Sequence, residues 1–260
     1  MSQFAMPVSL YMTTPVVSVK AAAGLDEVQD ALVAHHVSAL AVTDDGGRLL
    51  GVVSRTDLLH VGRRQAGMRR GSPLLTLPRR PVSEVMEPSV ISVDPEDSVA
   101  AAAGAMVRHH VHRVFAVKND SLVGVISTRD VMLAVRDKRI AQPLSERISA
   151  PVFTVDFDDP VALAVERLEK AHVSGLVVVE DDWPIGVFGQ IEALESKDLP
   201  RDTSVEACSS PAMLCLDLGT SLHRAAAQAA SMDVRRVIAV SDRRVKGILT
   251  GLDFARVASD

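Results

Sequence analysis

Four stretches of this sequence follow one pattern: GVVSRTD (residues 51–57), GVISTRD (124–130), GVFGQIE (186–192) and GILTGLD (247–253). Each reads glycine, two apolar-rich positions, a small residue, two variable positions and an acid. The glycines lie 73, 62 and 61 residues apart. Ahead of each stands a second matched block: HVSALAV (36–42), HVHRVFAV (110–117), HVSGLVVV (172–179) and DVRRVIAV (233–240). Ahead of those stands a third, led by proline: TTPVVSV (13–19), MEPSVISV (86–93), SAPVFTV (149–155) and SSPAMLCL (209–216). Three blocks in one order, four times over, are an internal repeat, and a repeat at this period sets the architecture before any local reading.

Each block has a local structure. The β-branched run after the proline predicts a strand, at Val16 to Val19, Val90 to Val93 and Val152 to Val155. A helix follows. In the second repeat Asp94, Pro95, Glu96 and Asp97 supply a cap, a first-turn proline and first-turn acids before an alanine-rich run. Two apolar strands come next, joined by polar turns such as Asp44-Asp45-Gly46-Gly47 and Lys118-Asn119-Asp120-Ser121. The second of these strands ends at the glycine motif, where the last helix starts. The expected class is α+β, built from four β-α-β-β-α repeats at residues 5–60, 82–138, 144–198 and 204–260. A three-stranded sheet of that size is marginal alone, so repeats are expected to pair and bury their apolar faces.

The connection at residues 61–81, VGRRQAGMRRGSPLLTLPRRP, is the irregular one. It holds six arginines and no acid, leaving −11 on the rest of a chain whose net charge is −5. A solvated loop is the plain reading; contact between its Arg-Arg pairs and an anion is the sharper one.

Composition narrows the function classes. Of 260 residues 47% are apolar and 23% charged, the range of an ordinary globular chain. Aromatics are 3%, which argues against stacking platforms for single-stranded nucleic acid, and the acidic balance argues against a general phosphate-backbone binder. Cys208 and Cys215 are the two cysteines, too few for a disulfide scaffold or a four-cysteine zinc site. The histidine pairs His35-His36 and His109-His110 point about 100° apart on a helix and are poor chelators, so no metal is expected. No stretch approaches the roughly 20 apolar residues of a membrane span, and the N-terminus lacks the charged-then-apolar order of a signal peptide. The expected location is the cytoplasm, without a membrane partner. No Walker loop, G-x-G-x-x-G, G-x-S-x-G or H-E-x-x-H motif is present, and the repeats take up the whole length. The expectation is no enzyme, no catalytic residue and no required cofactor.

The three blocks resemble the cystathionine-β-synthase (CBS) domain, a regulatory module found in tandem pairs called Bateman modules. The resemblance implies four CBS motifs paired about pseudo-twofold axes into two such modules. It also implies clefts that bind adenosine compounds: AMP, ADP, ATP or S-adenosylmethionine. Four motifs in one chain resemble, in architecture, the γ subunit of AMP-activated protein kinase. Carried over position by position, the resemblance assigns the phosphate-side hydroxyl and the ribose acid to Ser54 and Asp57, Ser127 and Asp130, and Thr250 and Asp253. It puts Val16 and Val90 beside the base, and His112, Arg113, Arg235 and Arg236 toward the phosphates.

The residues make chemical sense of this. A helix start offers free amides and a partial positive charge to a phosphate, and a carboxylate can accept from both hydroxyls of a ribose. A guanidinium at a strand start suits bidentate phosphate contact. The same hydroxyl-and-acid pairs also read as capping boxes that need no ligand. The third repeat departs from the pattern, with Gly189 and Glu192 in place of hydroxyl and aspartate, and the fourth has Ala212-Met213 at the base position. The expected order of occupancy is second, first, fourth, third. Three functions remain: a sensor of adenosine ligands reporting to an effector protein, a ligand-free scaffold for protein–protein contact or a homodimer, and a nucleic-acid or cyclic-dinucleotide binder that rests mainly on the arginine-rich segment.

Overall fold

The structure is a computed structural model and describes residues 3–65, 69, 71–119, 121–242 and 244–260. Repeat one is β1 (Ser18–Lys20), α1 (Leu25–Ala34), β2 (Ala39–Thr43), β3 (Leu49–Ser54) and α2 (Arg55–Gln65). Repeat two is β4 (Ser92–Val93), α3 (Val99–His109), β5 (Arg113–Lys118), β6 (Ser121–Ser127) and α4 (Thr128–Asp137). Repeat three is β7 (Thr154–Asp156), α5 (Val161–Lys170), β8 (Gly175–Glu180), β9 (Trp183–Gly189) and α6 (Gln190–Glu195). Repeat four is β10 (Leu214–Asp217), α7 (Leu222–Ser231), β11 (Arg236–Ser241), β12 (Arg244–Thr250) and α8 (Gly251–Ser259). In every repeat the first strand runs parallel to the second and the second antiparallel to the third. The fold is α+β, with the β-α-β-β-α unit read from the sequence present four times.

The first strands begin two residues later than the β-branched runs suggest. The proline-led blocks are engaged elsewhere: their leading residues pair with the last strand of another repeat. Thr13 exchanges main-chain hydrogen bonds with Val125 of β6 (2.8 and 3.1 Å), and Glu87 with Val52 of β3 (2.8 and 2.9 Å). Ser149 pairs likewise with Ile248 of β12, and Ser210 with Val187 of β9. Each leader must then cross to its own sheet, and Val16-Val17, Val90-Ile91 and Val152-Phe153 form that crossing. The helix of repeat two also starts later than expected. Asp94 and Asp97 close a turn, and the cap is Ser98, whose hydroxyl accepts from Ala101 N at 3.1 Å.

The chain divides into two compact units. One contains the sheets of repeats two and four with residues up to Val16; the other contains those of repeats one and three with the segment up to Ser89. In the first, α3 packs on α8, and α4 on α7 and α8. Alanines 102, 103, 134, 225, 226, 229, 255 and 258 are fully buried there, and such small side chains let helices approach closely. In the second, α2 packs on α6, and the interior is leucine-rich, with Leu25, Leu32, Leu40, Leu58 and Phe188 buried.

The arginine-rich segment is partly structured. Its first residues extend α2, and Arg63 pairs with Glu169 of α5. Leu74 and Leu75 are 1% exposed, and their amides donate to Leu199 and Lys197 carbonyls (both 3.0 Å). The burial of these leucines corrects the reading of a solvated loop for this part. Residues 66–68 and 70, and Asp120 in the second-repeat turn, lie outside the described residues. Among the described residues no helix is long and apolar enough to cross a membrane.

Two sequence signatures find their cause here. The first residue of each second block, His36, His110, His172 or Asp233, adopts φ of 51–54°. That left-handed residue ends the preceding helix, a conformation His and Asp tolerate better than most side chains. The motif glycines, by contrast, are set by close approach. A Cβ on Gly186 would stand 2.9 Å from the Ser210 carbonyl oxygen, and one on Gly51 would meet Met86 Sδ at 2.7 Å and Glu87 O at 2.9 Å. A Cβ on Gly124 would meet the movable thioether of Met12. Gly186→Ala is therefore expected to destabilise by about 1–3 kcal/mol, because backbone must shift. Gly124→Ala should cost less, since Met12 can change rotamer. Urea unfolding of the two variants checks the order.

Candidate functional site

The chemistry gathers at the four strand-to-helix corners. In repeat two β6 ends at Ser127 and α4 begins at Thr128. Asp130 Oδ2 accepts from Ser127 N and from Ser127 Oγ, both at 2.7 Å. In repeat one Asp57 Oδ2 accepts from Ser54 N at 2.8 Å and Ser54 Oγ at 2.7 Å. In repeat four Asp253 Oδ2 takes Thr250 N and Thr250 Oγ1, both at 2.7 Å. In repeat three Glu192 Oε2 accepts from Gly189 N at 2.8 Å. All four carboxylates cap their own helix, so the capping reading holds, and each hydroxyl proton is committed to its neighbouring aspartate. A phosphate oxygen can receive that proton only by displacing the carboxylate.

The corners are not equivalent. Asp57 and Asp130 are half-buried and accept from their capping serines with Oδ2. Burial pushes the Asp130 carboxyl above its ordinary range, against the pull of the Ser127 hydrogen bonds. Asp253 is 4% exposed, and its Oδ1 accepts from Ser149 Oγ at 3.2 Å and from Arg256. Gly189 lacks a hydroxyl for a steric reason: a Cβ there would lie 2.8 Å from the Ser174 carbonyl oxygen.

The basic residues predicted from the even repeats come together in one unit. His112 precedes β5, and its carbonyl accepts from Thr128 N at 2.9 Å, tying it to the corner of α4. Burial first, and the charges of Arg113, Arg236 and Arg235 in the same sense, together lower the His112 pKa to about 4. A neutral imidazole thus sits in the field of three guanidinium groups contributed by repeats two and four. Arg129, beside Asp130 in sequence, forms an ion pair at 2.6 Å with Asp233 of repeat four, a contact the sequence reading missed because the two are 104 residues apart. In the other unit the equivalent positions are Ser38, Ala39, Ser174 and Gly175, and Ser38 O accepts from Arg55 N at 3.1 Å. There the corners are bridged by Gln190 Nε2 donating to Thr56 Oγ1 at 2.8 Å. Val16 and Val90 are half-buried at the crossings. Among the described residues no group of three or more His, Cys, Asp or Glu is placed to hold a metal ion.

The CBS domain family model matches residues 8–64, 82–137 and 144–196. This chain belongs to the CBS-domain family. The matched segments are repeats one to three, and repeat four shares their strand order and helices. A solved structure from Methanocaldococcus jannaschii, put forward as an archaeal homologue of the AMPK γ subunit, overlays with a TM-score of 0.81 at 16% identity, covering 97% of this chain and 99% of that one. An uncharacterised 33.4 kDa protein encoded in a ribosomal RNA operon of Thermofilum pendens is 29% identical over 195 residues, 70% of this chain. This CBS chain spans 61% of that relative's length. A CBS-domain protein of Pyrobaculum aerophilum solved in complex with AMP is 31% identical, covering 48% of this chain and 90% of that one, with a TM-score of 0.43.

The His112 environment makes stability depend on pH. With its folded pKa near 4 and an unfolded value near 6.5, the unfolded state binds the extra proton between those limits. Wild type should therefore lose stability relative to His112→Asn as pH falls from about 6.5 to 4, and the difference should be constant above that window. Thermal melts of both proteins across the range check this; parallel curves would contradict it.

Proposed function

We propose that this CBS-domain protein is a non-catalytic sensor that binds adenosine-containing ligands (AMP, ADP, ATP or S-adenosylmethionine) and reports occupancy to an effector protein by a change of conformation. The observation that carries the reading is the convergence of His112, Arg113, Arg235 and Arg236 in one unit, tied by the His112 carbonyl to the Asp130 corner. The charges of the three guanidinium groups all act on the half-buried His112 ring, and an arginine suits bidentate hydrogen bonding to a phosphate. In the proposed role Ser127 and Asp130 lead, with Val90 beside the base. Ser54 and Asp57 come second, and Thr250 and Asp253 third. The cytoplasm is the proposed location and a homodimer the proposed assembly.

One observation favours the scaffold reading: every corner carboxylate already caps its helix, so the fold is complete without a ligand. A ligand must therefore compete with a hydrogen bond rather than fill a vacancy, and the conformational signal is limited by its differential affinity for the two states.

AMP is the first probe. At about 100 times its dissociation constant it should add about 2.7 kcal/mol of stability. Asp130→Ala and Arg236→Met should each cut the AMP-induced shift in melting temperature by most of its size. Loss of the cap in Asp130→Ala lowers only the ligand-free midpoint, by about 0.5–2 kcal/mol. No shift with AMP, ADP, ATP or S-adenosylmethionine would leave the scaffold reading standing.

A further inference from the structure

The fourth corner is built differently from the first two. Asp253 and Asp130 occupy the same place in their repeats, and both cap a helix through Oδ2. In repeat two the donors to the carboxylate are Ser127 N, Ser127 Oγ and the main chain of Asp130 itself. In repeat four Oδ1 is held as well, by the Arg256 guanidinium one turn along α8 and by the Ser149 hydroxyl of the leader segment paired to β12. The Asp253 side chain is 5% exposed, whereas that of Arg256 is 47% exposed. The arginine therefore lies over the acid from the outside. Its position three residues beyond the acid is unique among the repeats: the equivalents are His60, Leu133 and Glu195.

A carboxylate that receives a diol must offer acceptor oxygens to two hydroxyl protons. Asp253 offers none, since four donors from three residues, Thr250, Ser149 and Arg256, already reach its two oxygens. A charge-assisted bond from an arginine is stronger than one from a neutral hydroxyl, so a ribose does not displace it on equal terms. We infer that Arg256, with Ser149, locks the repeat-four corner against diol ligands and so sets how many adenosine ligands one chain can hold. This rests on the ligand-binding reading above and adds the residue that decides the number of sites.

The test is calorimetric titration of the full chain with AMP. Arg256→Met keeps the aliphatic stem and removes the donors. It is expected to bind one more AMP per chain than wild type, and adding Asp253→Asn to it should remove the extra site. Because Arg256→Met could weaken folding by leaving Asp253 buried without its partner, a second variant installs the lock elsewhere. Leu133→Arg places an arginine three residues beyond Asp130, and it is expected to bind one AMP fewer than wild type. Wild-type stoichiometry in both variants would overturn the lock while leaving AMP binding itself intact. Absence of AMP binding by wild type would overturn the ligand reading, and the lock with it.

Discussion

A three-stranded sheet cannot bury its own apolar surface, and this chain meets that constraint by exchanging leaders between repeats. The proline-led segment of repeat one is hydrogen-bonded to β6 of repeat two, and that of repeat two to β3 of repeat one; repeats three and four trade leaders in the same way. The motif glycine follows from this, because the incoming leader passes where a Cβ would stand. A register irregularity falls beside each of these glycines, at Val42/Thr43, Ala116/Val117, Val178/Val179 and Ala239/Val240. A bulge adds local twist to the third strand. The late start of the first strand is the other consequence, since the residues ahead of it are crossing between sheets.

The same geometry places the site residues. Because the third strand stops where the leader has been accommodated, the next helix begins at a fixed point, and its first turn carries the hydroxyl and the acid. These groups have a folding role as capping boxes, and the chemistry proposed for them draws on the same lone pairs and protons. Differences among repeats then come from a few neighbours: a carbonyl that excludes a side chain at Gly189, an arginine across Asp253, and paired cations beside α4. Under the proposed function binding and stability would be coupled at these corners, since a ligand that took Asp130 would compete with the bond that starts α4.

Much of this was legible in the sequence, because a repeated block averages out local ambiguity. The four units, their strand and helix order, the corner pairs and the even-repeat cations could all be read from spacing. What escaped was long-range. The partner of Arg129 lies 104 residues away, and the exchange of leaders leaves no mark in any one block. Nothing in the repeat pattern singles out Arg256, whose meaning depends on Ser149 arriving from another repeat. The leucines at 74 and 75 were misread because six neighbouring arginines dominate the composition of that segment, while burial is decided by two side chains. The proline and acids at 95–97 point to Asp94 as the helix cap, yet the turn they form uses up those same groups and Ser98 caps α3.

Native mass spectrometry of the protein as purified, repeated after incubation with millimolar AMP, ADP, ATP and S-adenosylmethionine, bears most directly on the claim that these corners hold an adenosine compound. The account requires a non-covalent adduct with the mass of one of these ligands, lost when Asp130 and Asp57 are replaced together. A bare chain mass under every condition would contradict it.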